Sequence, residues 1–262
     1  MHASTITTIP DDHRCCYREH GYMILEGIMT KADLELLREE GRLAIERLHA
    51  AMDASHSDRV GANIRNNRYF IEQPSRAQPR LKSFLFSQLM ADVCRATIGP
   101  EAFLCYEQFV VKGAEKGKAF SWHQDGGYAI SAGAAPHAPG VTCWCALDDM
   151  SEANGTIYVL PYERAGGRDL VEHVYKPELG ERVGYFGDDP GNPVLVPAGT
   201  IVAFSTATFH RSGFNTTGKM RRVYTAQYAP APLRKADGSG IVGLSDLFLK
   251  DGEIVAHGPD RP

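Results

Sequence analysis

Ser121-Trp122-His123-Gln124-Asp125-Gly126-Gly127-Tyr128 is the stretch on which the reading of this chain turns. It sets His123 and Asp125 two residues apart. On a strand, side chains alternate in direction, so both would point to one side and a single metal ion would reach both. A third ligand stands far downstream, His210, in Ala207-Thr208-Phe209-His210-Arg211-Ser212-Gly213. Neutral imidazole nitrogens and a carboxylate suit Fe(II), and three ligands leave positions open for a co-substrate and O2. A lone His-x-Asp arises by chance in many chains; the ordered features downstream give this one weight. They are the turn Pro197-Ala198-Gly199-Thr200, the apolar strand that leads to His210, then Ser212, then Arg221 on the next strand.

Around this stretch the pattern is β. Phe103–Lys112, Gly140–Leu147, Gly155–Pro161, Thr200–Ser205 and Arg222–Tyr228 are predicted strands. Turn residues separate them, and many short strands with such turns indicate a β-sandwich or barrel. The first hundred residues read as helical. Thr30 caps a helix running to about Met52, with Asp33 at the capping-box position and Leu34, Leu37, Leu48 and Ala51 along its apolar stripe. A second helix is predicted from Ser83 to Thr97, stopped by Gly99-Pro100. Asn63 to Pro79 reads as a loop approaching the site. Ala129–Pro139 and Glu172–Asn192 read as excursions from the β core, lid or surface loop. The tail from Leu233 either folds back through Leu244–Leu249 or stays mobile.

Bulk properties exclude several functions. The 262 residues are read as one domain, 1–262: a helical part to about 100, a β core over about 101–230 and a tail over 231–262. A formal net charge of −4 and the short cluster Lys219-Met220-Arg221-Arg222 argue against nucleic-acid binding. Asp11, Asp12, His13 and Arg14 stand where a signal peptide would need its apolar stretch, and no run is long enough to span a membrane. A cytoplasmic protein is expected, with no membrane partner. The six cysteines form no Cys-x-x-Cys pair, so they are expected to be reduced packing residues rather than a zinc site or a nucleophile.

The ordered set of motifs resembles the phytanoyl-CoA dioxygenase family of Fe(II)/2-oxoglutarate oxygenases. The residues that carry the likeness are His123-Gln124-Asp125-x-x-Tyr128, Trp144 with Ala146-Leu147-Asp148-Asp149, and Glu152-x-Asn154-Gly155. They continue with Val159-Leu160-Pro161, His210-x-Ser212-Gly213-x-Asn215 and Arg221-Arg222, and the likeness spans about Tyr17 to Pro230. The resemblance implies a mainly β fold with flanking helices, built on a double-stranded β-helix (jelly-roll, cupin-like) core. It implies that His123, Asp125 and His210 hold iron, that Arg221 binds the distal carboxylate of 2-oxoglutarate, and that Ser212 assists. Gln108 and Trp144 would line the 2-oxoglutarate pocket. Arg222, next to Arg221 on a strand, would point the other way.

Each assignment has a plainer rival. Arg221 would otherwise be a surface arginine, Ser212 a turn residue, Trp144 a core residue, and Gln108 an inward polar group. Asp148 and Asp149 are expected to be turn acceptors. Where relatives commonly follow the proline of this strand with Gly-Ser-His or Gly-Thr-His, this chain has Pro161-Tyr162-Glu163-Arg164. Arg164 there either meets an acidic substrate or is simply exposed. The reaction implied is oxidation, most simply hydroxylation, of an unactivated C–H bond, with O2 consumed and succinate and CO2 formed from 2-oxoglutarate. Asp125 supplies a carboxylate ligand, so halogenation is not expected. Candidate substrate residues are Tyr69, Phe70, Tyr106, Trp122 and Tyr128, an aromatic set suited to a natural-product or amino-acid-like small molecule. The competing reading is a cupin-like metalloprotein that does not use 2-oxoglutarate and needs no Arg221.

Overall fold

A computed structural model describes residues 9–115 and 117–255; the two ends of the 1–262 span lie outside the described residues. Helix α1 (Asp11–His20) ends at Gly21, whose φ of 87° suits the left-handed cap, and leads into strand β1 (Tyr22–Leu25). Helix α2 (Lys31–Ala54) starts at the predicted box. The Thr30 side chain accepts from the Asp33 N–H at 3.1 Å, and Asp33 accepts from the Thr30 N–H at 3.1 Å. Its buried stripe runs through Leu37, Gly41, Ala44, Ile45 and Met52, and Ala51 is exposed. At Gly41 an added Cβ would lie 3.1 Å from the Phe109 ring, so the glycine lets the helix sit close on the sheet.

The segment expected to be a loop, Asn63–Pro79, instead carries strands. β2 (Arg59–Val60), β3 (Asn63–Ile64) and β4 (Arg68–Glu72) extend the sheet, with β4 paired along β5 (Ala102–Lys112). The strand Arg68-Tyr69-Phe70-Ile71-Glu72 has three consecutive apolar residues between two charges, so no period-two pattern marks it. The helix predicted from Ser83 to Thr97 is two: α3 (Lys82–Leu85) and α4 (Gln88–Thr97). Ser87 breaks them apart, because its hydroxyl accepts from the Met90 N–H and starts a new helix.

The remaining elements are β6 (Phe120–His123), α5 (Asp125–Ser131), β7 (Val141–Ala146), β8 (Ile157–Leu160), α6 (Tyr162–Ala165), β9 (Val174–Lys176) and β10 (Glu181–Val183). They continue with β11 (Asn192–Pro193), β12 (Ile201–Ser205), β13 (Phe209–Ser212), β14 (Arg221–Ala229), β15 (Asp246–Lys250) and β16 (Glu253–Ile254). The large sheet runs β1-β12-β7-β14-β5-β4-β3-β2, and β15 also joins β5. The small sheet runs β11-β8-β13-β6, and β9-β10 form a separate hairpin. This is the expected mainly β, cupin-like architecture with helices against one face.

Strand alternation divides the interior. Cys143 and Cys145 of β7 face the core under the helices, with Phe109 and Tyr224. Trp144 and Ala146 face the core between the sheets, with Ile157, Val159 and Phe204. All six cysteines are free, and burial pushes the Cys105 thiol up to about 12 and those of Cys143 and Cys145 up as well. Cys105, Cys143 and Cys145 are therefore inert as nucleophiles. The tail folds back: β15 pairs with β5, and Phe248 and Leu249 are fully buried, contributing roughly 1.5–3 kcal/mol each. Among the described residues no helix is long and apolar enough to cross a membrane.

Candidate metal centre

His123 ends β6 and His210 lies directly opposite it on β13. The register between antiparallel neighbours therefore places the two imidazoles side by side, with ring centroids 4.1 Å apart. Asp125 arrives differently from the strand geometry expected. The chain leaves β6 at Gln124 and Asp125 is the first residue of α5. Its carboxylate still turns to the histidines: Oδ1 is 3.8 Å from His123 Nε2 and 3.7 Å from His210 Nε2. One potential ligand atom from each residue lies within 4.8 Å of the others. A carboxylate at a helix start is also favoured by the N–H groups there.

The outer contacts aim these atoms. His123 Nδ1 donates to the Ser121 carbonyl at 2.8 Å and His210 Nδ1 to the Thr208 carbonyl at 3.1 Å. Both Nε2 lone pairs are thereby presented to the centre. Burial, with His210 beside it, holds the His123 imidazole well below the usual histidine range, so it is neutral and able to bind a metal. Thr142, on β7 of the large sheet, donates to Asp125 Oδ2 at 2.5 Å and leaves Oδ1 facing the two histidines. Two imidazoles and one carboxylate, with a cavity on the open side, fit Fe(II).

That cavity, about 730 Å³, lies between the sheets. Alternation puts Tyr106, Gln108 and Lys112 of β5, Thr142 and Trp144 of β7, and Arg221 and Thr225 of β14 on its wall, and His123, His210 and Ser212 close the other side. Arg221 is 1% exposed. Its Nη2 donates to the Gly155 carbonyl at 2.6 Å, while Nε and Nη1 have no partner. Burial pushes this guanidinium down to about 10. Lys112 pairs across the sheet with Arg221 on one side and Arg68 on the other, so three basic residues line up on the cavity face. Among the described residues none of the three has a carboxylate partner within ion-pair distance. Like charges set directly across a sheet are unfavourable, and a bound anion relieves them. A rigid, buried guanidinium with unsatisfied N–H groups suits a carboxylate.

Lys112 has a measurable consequence. Burial first, then the charges of Arg221 and Arg68, push its ammonium from 10.5 down to about 6, against the pull of Glu181. Between those values the unfolded chain holds the extra proton, so stability of the metal-free protein rises with pH and is lost as pH falls toward 6. The slope from this group reaches up to about 1.4 kcal/mol per pH unit. Urea unfolding of the metal-free protein between pH 7 and 9 is expected to show it, and Lys112→Met to flatten it. An equal slope in both proteins would refute this role for Lys112.

Other sequence candidates fall in different places. Tyr106 and Tyr128 line the cavity; Tyr69 and Trp122 do not. Tyr69 alternates to the far face of β4, where it is wholly buried and its hydroxyl meets His49 at 2.7 Å and the Asn66 N–H at 2.6 Å. Its neighbour Phe70 is the one that faces inward. Trp122 packs on Tyr185 and under Arg211. Arg222 points away as expected and is paired in a fork with Asp148, at 2.6 and 3.1 Å. Asp149 accepts from the Ala198 N–H, a turn role, and Arg164 is engaged by Asp189 and Asn192 outside the cavity. Sequence reading missed Lys112, although it lies four residues after Gln108 on a predicted strand and so shares its face. No local signal marks Thr142.

Comparisons agree with this geometry. L-proline trans-4-hydroxylase of Streptomyces griseoviridis is 26% identical over 227 residues, covering 78% of this chain and 74% of that one. The solved structure of the non-heme alpha ketoglutarate dependent carbocyclase SnoK from nogalamycin biosynthesis superposes with a TM-score of 0.68 at 18% identity, over 91% of each chain. EvdO2 from Micromonospora carbonacea var. aurantiaca, solved with 2-oxoglutarate, gives 0.66 at 22% identity, over 90% of this chain and 97% of that one. Residues 17–223 match the profile of Phytanoyl-CoA dioxygenase (PhyH). The chain therefore belongs to the phytanoyl-CoA dioxygenase family and is an Fe(II)- and 2-oxoglutarate-dependent dioxygenase.

Proposed function

We propose that His123, Asp125 and His210 hold the iron, that Arg221 with Ser212 takes the distal carboxylate of 2-oxoglutarate, and that the enzyme hydroxylates an unactivated C–H bond of an amino-acid-like or natural-product-sized molecule. The observation that carries this reading is the pairing, in one cavity, of the ligand cluster with a buried arginine that has two unsatisfied nitrogens. A metalloprotein without 2-oxoglutarate would have no use for that arginine. Bound there, iron and 2-oxoglutarate supply an oxidant from O2, releasing succinate and CO2.

The chain's own residues supply placement. Arg221 orients the co-substrate from its far end, and Gln108 and Trp144 set the walls beside it. Trp144, packed with Ile157 and Phe204, excludes water from the inner end. On the outer side Phe70, Tyr106 and Tyr128 offer aromatic faces, with Glu72 and Arg182 among the polar groups of the wall. A cavity of about 730 Å³ accommodates the co-substrate and a medium-sized second molecule. The relative named for proline hydroxylation supports hydroxylation of a small molecule. Free cysteines throughout fit a cytoplasmic site of action.

The test is succinate formation by iron-loaded protein under O2, alone and with a panel of cyclic amino acids and polyketide glycosides. The expected result is Fe(II)-dependent conversion of 2-oxoglutarate that one class of the panel stimulates. Iron binding without any 2-oxoglutarate binding or consumption would overturn the reading.

A further inference from the structure

The metal tripeptide is gripped from outside by a segment that neither the ligands nor the co-substrate pocket explains. His173 is 2% exposed. Its Nε2 accepts from the backbone N–H of Gln124 at 2.8 Å, the residue between His123 and Asp125. Its Nδ1 donates to the Val171 carbonyl at 2.9 Å, which fixes the tautomer needed for that acceptance. Two glycines make room for the ring. A Cβ on Gly127 would lie 1.9 Å from the His173 ring, and one on Gly184 would lie 2.6 Å from it. Neither glycine has a positive φ, so the backbone does not require them; the imidazole does.

Gln124 completes the clasp with its side chain. Nε2 donates to the Asp169 carbonyl at 2.9 Å and to the Ala207 carbonyl at 2.7 Å, three residues before His210. Oε1 accepts from the Val171 N–H at 2.9 Å. Further stitches join Glu181 to the Ser121 N–H at 3.0 Å and Gly184 N–H to the Trp122 carbonyl at 2.8 Å. The segment so held, 169–184, contains the β9-β10 hairpin, which exposes Val174, Tyr175 and Leu179 to solvent and lends Glu181 and Arg182 to the cavity wall. With few apolar contacts of its own, its order depends on these stitches.

We propose that His173 is a positioning residue for the metal centre: through the Gln124 N–H it fixes the turn that sets His123 against Asp125, and it couples the order of the hairpin over the cavity to metal binding. This rests on the metal reading above. The coupling is reciprocal, so a bound ion stabilises the hairpin as much as the hairpin stabilises the ion.

Mn(II) is the probe, added alone to metal-free full-length protein. Affinity is read by electron paramagnetic resonance and the order of 169–184 by hydrogen exchange. In the unmodified protein Mn(II) is expected to slow exchange across 169–184. His173→Ala is expected to weaken Mn(II) on the order of 10-fold and to leave exchange in the segment fast with or without the ion. His173→Gln, which keeps an acceptor, is expected to recover most of the affinity, which a loss of bulk packing alone would not predict. If His173→Ala does not fold, Gly184→Ala, which pushes the ring aside, is expected to give the same loss. Unchanged Mn(II) affinity in the folded variant, or exchange in 169–184 that ignores the ion, would overturn the proposal. Failure of the unmodified protein to bind Mn(II) or Fe(II) would instead remove the metal reading and the proposal with it.

Discussion

Arg221→Met is expected to weaken 2-oxoglutarate binding on the order of 100-fold while leaving Fe(II) affinity unchanged. Loss of one partner of a buried, hydrogen-bonded charge pair costs about 2–5 kcal/mol. The same change is expected to hold or raise the thermal midpoint of the metal-free protein. That protein carries a wholly buried guanidinium with two unpaired nitrogens, opposite Lys112, and an apolar side chain removes both liabilities. The opposite signs separate a binding role from a structural one, since a residue kept for folding would cost stability when lost. An anaerobic absorption titration of the Fe(II)-loaded protein with 2-oxoglutarate reads the first effect and calorimetry the second. Unaltered 2-oxoglutarate affinity in the folded variant would reject the carboxylate role.

Asp125→Ala is expected to lower metal affinity by more than about 100-fold and to abolish turnover. Even changes to groups that only orient a ligand cost about 10–100-fold. Here the one anionic group is removed and only the two imidazoles remain. Alanine is well accepted at a helix start, and the Thr142 hydroxyl loses one bond worth about 1 kcal/mol, so the fold is expected to persist. Metal titration and succinate assay of the purified variant check both effects. Full metal affinity and turnover would show that the ion is held elsewhere.

The two substitutions act on residues that differ in how far the sequence reveals them. The His-x-Asp spacing and the late His210 mark a metal site because ligand chemistry is a property of residue type, and the chain order of three such residues is unusual. The route by which Asp125 reaches the two histidines is another matter. Alternation on a strand and the first turn of a helix both deliver a carboxylate to the same point, and local pattern does not choose between them. The split of the 82–97 helix at Ser87 follows from a cap that also reads as an ordinary helix-surface serine.

Strand alternation, once β5, β7 and β14 are recognised, assigns Gln108, Trp144 and Arg221 to inward faces and Arg222 to the outside, because the side-chain period is two whatever the neighbours do. It also carries Lys112 inward with Gln108. β4 escaped this logic because its strand character comes from pairing with β5 rather than from its own composition, so Tyr69 and Phe70 are both expected at the cavity although alternation lets only Phe70 face it. Register across the sheet is a long-range quantity. It set Arg68, Lys112 and Arg221 in one row and His210 opposite His123, while packing of α5 on the large sheet set Thr142 against Asp125. Residue type and period, which are local, thus determined the chemistry and which way each side chain faces. Contacts between residues more than 100 positions apart, such as the Glu107–Tyr224 bond between neighbouring strands, belong to the tertiary structure. Only that structure decided which basic residues meet, what orients His123, Asp125 and His210, and what holds Gln124 from behind.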